Sequence, residues 1–228
     1  MTVWVIDPTT QNKLVSYRRD EDYWSYARKT NYTVSILVVM GDGQATRRRL
    51  LDAATAEFAR YGIAGARVDR IAETAQANKA QLYAYYGSKV QLFDTVFHEH
   101  LRLIVDRVPI DATDLPDYAV RLYDSYLRHP EIVLLATWAR LERTPTGDLL
   151  TAAAEDLARK LAAIADAQRD GLITADLEPS EVYSMVIAMS MTWSPASTTY
   201  TASTDEDPAV HERRRYALAE TVRRAFTP

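Results

Sequence analysis

From Thr46 to Phe226 apolar residues return every three or four positions, and Pro130, Pro145, Pro179, Pro195 and Pro208 fall between the periodic stretches. That period marks amphipathic helices, and a chain that keeps it folds by packing helices on helices. The sequence predicts an all-α architecture of about nine helices. Thr46 caps the first, whose stripe is Leu50, Leu51, Ala54, Phe58 and Tyr61, and Gly62 ends it. Two short helices follow, Val68–Ala75 and Lys79–Tyr86, joined by the turn Gln76-Ala77-Asn78, in which Asn78 caps the second. Gly87 closes that helix and Ser88 caps Lys89–Arg107, which buries Leu92, Phe93, Val96, Phe97 and Ile104. Further helices are expected over Leu115–Arg128, Glu131–Arg143, Asp148–Arg169, Ser180–Trp193 and Pro208–Phe226.

Several functions are disfavoured by what the chain lacks. With no cysteine there are no disulfides, thiolate zinc ligands or thiol nucleophiles, which fits a reducing, cytoplasmic setting. The apolar run Ser35–Met40 is far short of the roughly 20 residues of a membrane span, so no membrane association is expected. No Gly-x-Ser-x-Gly, Gly-x-x-x-x-Gly-Lys or Gly-x-Gly-x-x-Gly run occurs, and His98 and His100, two apart on a helix, diverge. No enzyme activity, catalytic residue, metal or cofactor is expected.

Charge and pattern divide the chain in three. Residues 46–89 carry eight Lys/Arg against four Asp/Glu, whereas residues 109–228 carry twelve against nineteen. A basic segment ahead of an acidic remainder keeps one end near a polyanion and the other away from it. Residues 1–45 lack a sustained helical period, and the chain from Met40 reads like a protein start. The expected division is an N-terminal extension at 1–45, a basic helical segment at 46–89, and an acidic helical segment at 90–228. Residues 1–39 are read as an upstream addition, disordered or from a mis-assigned start. The alternative is an arm with short strands around Thr2–Ile6 and Thr33–Val39.

A long helix supporting two short ones across a tight turn is a tri-helical helix-turn-helix, a device for laying one helix in the major groove. A groove about 12 Å wide admits one helix with polar tips on its outer face, and Asn78, Lys79, Gln81 and Tyr83 supply them. Leu82 and Tyr86 face inward toward Phe58 and Ile71. The run GARVDRIAETAQANKAQLYAYYGSKVQLFDTVF, residues 65–97, resembles the signature of the tetracycline-repressor (TetR) family of transcriptional regulators. The resemblance implies phosphate contacts by Tyr83 and Lys89 and groove-facing positions at Asn78, Lys79 and Gln81. It places Arg67 and Arg70 near the DNA backbone, and Arg47 and Tyr85 complete the expected DNA-binding set. Gln76 and Ala77 stand where the family prefers glycine and valine, and Tyr86 where it has phenylalanine.

For the second half the resemblance implies a sensor. Tyr123, Tyr126, Trp138, Met185, Met189 and Trp193 form a candidate ligand pocket for a small-molecule effector, with a filled core as the competing reading. The last two helices are expected to form a homodimer interface, with Val182, Val186, Met189, Ala217, Val222 and Phe226 as its apolar core. The function implied is a ligand-responsive repressor that binds a palindromic double-stranded DNA operator as a homodimer. The alternative is an α-helical interaction module that has lost DNA binding.

Overall fold

The computed structural model describes residues 2–7, 13–18, 33–147, 149 and 154–228, with side chains from Gly43 onward except at 104–106. Thr2–Asp7 (β1) and Lys13–Arg18 (β2) pair antiparallel as a hairpin, with Val5 opposite Val15. The other regular elements among the described residues are helices: α1 Thr33–Gly65, α2 Val68–Thr74, α3 Lys79–Tyr86, α4 Lys89–Arg107, α5 Leu115–Arg128, α6 Pro130–Glu142, α7 Ala154–Arg169, α8 Pro179–Ser190 and α9 Pro208–Phe226. The expected start of the α7 region at Asp148 lies outside the described residues.

Two expectations about the first helix are corrected. The segment Thr33–Val39 is helix instead of strand, and α1 runs through Thr46, which is buried, instead of starting there. Adding turns to an existing helix avoids the nucleation penalty, so Gly41 and Gly43 do not stop it. Near its end the expected stop is a kink: Gly62 turns left-handed (φ 71°), where a Cβ would lie 2.8 Å from the Trp138 ring, and one more turn runs on to Gly65. Tyr61, predicted buried, is half-exposed beneath the Arg70 guanidinium, 4.4 Å from its ring centre.

The later helices begin as their sequences dictate. Pro116, Pro130, Pro179 and Pro208 lie in first turns, where a missing N–H costs nothing, and Asp114 and Asp207 accept from Asp117 N–H (3.0 Å) and Ala209 N–H (2.8 Å).

Two apolar cores result. The first gathers Leu50, Ala54, Phe58, Ile71, Leu82, Tyr86 and the first half of α4, and it takes in Leu135 and Ala139 from α6. Phe58 and Phe93 meet edge to face with centroids 5.2 Å apart. The second core lies among α5, α7, α8, α9 and the start of α6, around Tyr118, Leu122, Ile164, Val182 and Val222. This corrects the expected dimer core: Val182, Val186, Val222 and Phe226 are buried within the protomer. The apolar face of each helix is consumed by its own fold, which leaves Ser184, Met185 and Ala188 of α8 and Tyr216, Ala217 and Thr221 of α9 facing outward.

Candidate nucleic-acid interface

The geometry of the reading helix is set by the turn before it. Three backbone bonds close α2: Ala75 N–H to Ile71 O (3.0 Å), Gln76 N–H to Glu73 O (3.0 Å) and Ala77 N–H to Ala72 O (2.9 Å). The last two form a Schellman cap, which requires a left-handed residue at its centre. Gln76 takes that role at φ 51°, so the turn forms without the glycine that relieves the strain. Arg49 of α1 reaches across to donate from Nε to Ala75 O at 3.0 Å, binding the turn to the supporting helix.

Helix α3 then starts in a capping box. Asn78 Oδ1 accepts from Gln81 N–H at 2.8 Å, and Gln81 Oε1 accepts from Asn78 N–H at 3.0 Å. Eight residues rise about 12 Å, and the helix's own diameter of about 10–12 Å is what a major groove about 12 Å wide admits. Six of the eight are exposed, so Leu82 and Tyr86 alone anchor the helix. Tyr86, which replaces an expected phenylalanine, donates its hydroxyl to Arg47 O at 2.8 Å, and burial pushes its phenol above the usual range.

The outward face brings together Lys79 and Tyr83, one turn apart, and Gln81 and Tyr85, one turn apart. Tyr83 and Tyr85 are both exposed, at 46% and 39%. Lys79 Nζ pairs with Asp69 Oδ1 of α2, which raises the ammonium above its ordinary value while both groups stay open to water. Asn78 and Gln81 are also exposed, so their capping bonds can be exchanged for bonds to base edges.

The flanking cations divide. Arg47 is exposed at the edge of the module, its guanidinium 5.8 Å over the Tyr86 ring. Arg67 is exposed just before α2, and its N–H donates to Glu57 Oε1 at 2.7 Å. Arg70 instead grips Glu57 with Nε (2.9 Å) and Nη2 (2.6 Å). Burial pushes the Glu57 carboxyl up, but the Arg70 bonds, the Arg67 N–H and both arginine charges outweigh it and hold the group low. Lys89 Nζ donates to Ala64 O and Ala66 O, both at 3.1 Å, which ties the start of α4 to the end of α1. An ammonium has three N–H bonds, so one remains for a phosphate. Sequence reasoning missed Arg49 and Glu57, because their partners lie 26 and 13 residues away and leave no local pattern.

Of the six expected ligand-pocket residues four meet at one core, Trp193 edge to face with Tyr123 at 5.8 Å, and two stand apart. Tyr123 and Tyr126 are in the second core, with Met189 and Trp193 packed against it, and Met185 is exposed. Trp138 belongs to the other core's edge, its indole N–H donating to Ala59 O of α1 at 3.1 Å. A cleft of about 510 Å3 opens between the α4–α5 connection and α7, and one of about 280 Å3 opens between α1, α4 and the α5–α6 corner. None of the six lines either.

Comparison with known proteins agrees with this arrangement. Residues 50–96 match the family described as bacterial regulatory proteins of the tetR family, and residues 114–224 match the tetracyclin repressor-like C-terminal domain. The chain is 42% identical over 150 residues to the HTH-type transcriptional repressor SCO4008 of Streptomyces coelicolor, covering 65% of this chain and 78% of that one. The crystal structure of SCO4942, a regulator from the same species, superposes with a TM-score of 0.68 at 39% identity, over 79% of this chain and 98% of the other. AibR, solved with isovaleryl coenzyme A and operator DNA, shares the fold (TM-score 0.58, 16% identity, 78% of this chain and 97% of that one). The exposed helix on its tight turn, the helical second half and these likenesses together show that the chain belongs to the TetR family of DNA-binding transcriptional regulators.

Proposed function

We propose that the protein is a cytoplasmic repressor that holds a palindromic operator as a homodimer and releases it when a small effector binds. In this reading residues 46–89 form the DNA-binding domain, residues 90–228 the regulatory and dimerisation domain, and residues 1–45 an extension in front of both. The observation that carries it is α3, raised on two buried anchors with Lys79, Gln81, Tyr83 and Tyr85 outward. Asn78, Lys79 and Gln81 read base edges, while Tyr83, Tyr85, Lys89, Arg47 and Arg67 hold the phosphate backbone. The named repressor SCO4008 supports repression, and AibR, captured with an acyl-coenzyme A and operator DNA, supports effector control.

The homodimer uses α8 and α9 through their outward residues. Ser184 and Ala188 let helices approach closely, and Met185 and Tyr216 supply apolar area. Nothing in this arrangement calls for enzyme chemistry.

Selection of DNA from a random pool by the purified protein tests the reading. A palindrome is expected, with half-sites about one helical turn apart or somewhat further; enrichment of no sequence, or of one without two-fold symmetry, would defeat it. Within that site Lys79→Ala relaxes the preference at one base pair, at about 1–3 kcal/mol. Tyr83→Phe weakens binding to every sequence alike by about 1 kcal/mol.

A further inference from the structure

The 280 Å3 cavity between α1, α4 and the α5–α6 corner is the feature that neither the DNA-reading site nor the second core accounts for. Its volume lies just under the range of small-molecule sites, large enough for a compact ligand. Its walls come from both functional halves. Thr55 lies on the supporting helix of the reading module, Leu103 on α4, and Ile132 at the start of α6.

The charged lining holds two cations, Arg48 and Arg107, and two carboxylates, Asp52 and Glu131, beside His100 and His129. Arg107 Nη1 lies 2.8 Å from His129 Nε2. A guanidinium only donates, so Nε2 accepts and the imidazole is neutral with its proton on Nδ1, which faces Glu131 Oε1 at 3.4 Å. Arg107 thus meets a neutral acceptor, and among the described residues it forms no ion pair. Among the described residues its other four N–H bonds have no partner. Arg48 at the mouth is already matched by Asp52 at 2.9 Å. His100 Nδ1 bonds Val96 O at 2.9 Å, so its ring is fixed with Nε2 on the far side. Among the described residues the cavity therefore offers a planar, two-pronged cation without an ion-pair partner, with Leu103 and Ile132 as apolar wall and the Glu131 carboxylate on the far side of the His129 ring. That chemistry suits a carboxylate or phosphate on a short apolar body.

Position makes such a ligand consequential. Helix α6 runs beside α1 in the same direction: Ile132 lies across the cavity from Thr55, Trp138 bonds Ala59 O, and Glu142 accepts from Ala64 N–H at 2.7 Å. A molecule wedged at the first of these points bears on α1, α4 and α6 together, and it acts only through its different affinity for their alternative spacings. We propose that this junction cavity is the effector site and that its ligand is a small organic anion gripped by Arg107. The inference rests on the reading of the protein as an effector-controlled repressor.

The test uses the full-length protein and four probes of one shape: benzoate, phenyl phosphate, neutral benzamide and cationic benzylamine. Binding to the free protein is followed by ligand-observed NMR, and operator affinity by fluorescence anisotropy. At least one of the two anions is expected to bind and, at saturation, to weaken operator binding tenfold or more, while benzamide and benzylamine do neither. Whichever anion binds shows whether carboxylate or phosphate is preferred. Arg107→Gln is expected to lower anion affinity at least tenfold, Arg107→Lys less, and Leu103→Trp to block binding by filling the space. Failure of both anions to bind overturns the proposal. So does unchanged operator affinity with anion bound, or loss of binding in Arg121→Gln, at the 510 Å3 cleft, with Arg107→Gln unaffected. A protein that binds no operator without any probe would instead defeat the proposed function.

Discussion

The two cores are secured by different means. In the DNA-reading module each short helix is pinned by a polar bond that crosses from another element: Arg70 to Glu57, Arg49 to Ala75 O, Tyr86 to Arg47 O, and Lys89 to Ala64 O and Ala66 O. The second core is held by apolar packing, with long-range polar bonds at the two ends of α9. Near its start Tyr123 meets His211 at 2.7 Å and Arg215 meets Asp124 at 2.9 Å, and at its end Phe226 O accepts from Thr174 N–H at 2.8 Å. Apolar contacts are non-directional and tolerate repacking, whereas hydrogen bonds fix orientation. A helix that must match a groove needs the second kind of restraint, and a body that changes state needs the first.

The largest effect that tests this contrast is loss of the shared apolar support. Phe58→Ala is expected to cost about 3–5 kcal/mol in chemical denaturation, because it empties the centre of the first core against Phe93. Loss of operator binding should follow from that unfolding.

The next effect is electrostatic. Glu57 is held below the ordinary glutamate value, so its stabilisation is complete above that ordinary value and is lost as pH falls from there through the lowered value of the folded state. Thermal melts between about pH 7 and about pH 3 should show the native protein losing more stability than Glu57→Gln. Parallel curves would mean that the Arg70 grip contributes nothing.

A matched pair sharpens the comparison further. Tyr86→Phe and Tyr123→Phe each remove one hydroxyl bond worth about 1 kcal/mol. The first should also weaken operator binding in an anisotropy titration, since it frees one end of α3 from α1; the second should leave it unchanged. Equal effects on DNA would erase the distinction between the cores. The smallest effect belongs to the turn, where Gln76→Gly is expected to stabilise by about 0.5 kcal/mol, read as a higher urea midpoint.

What could be read in advance follows the same division. The helix boundaries from Gly62 onward were legible because caps, prolines and the apolar period are local signals: Asn78, Gly87, Ser88 and Asp207 act where they stand. The start of α1 was not, since nothing near Thr46 records whether a helix already exists upstream. On the reading face the outward positions were legible from spacing. The bonds that orient it were not, because Arg49 and Glu57 join elements that are distant along the chain. The same blindness split the candidate pocket. Aromatic content marks what is apolar without saying which of two cores receives it, and Trp138 went to α1 instead of joining the second core.

The double attachment of α6 to α1 has a mechanical consequence. Two rods lying side by side and fastened at Ala59 and Ala64 cannot slide past each other without breaking both joints. A push near Ile132, where α6 enters the second core, is therefore converted from translation into tilt. The outermost part of a tilting body moves furthest, and here that part is the helix meant for the groove.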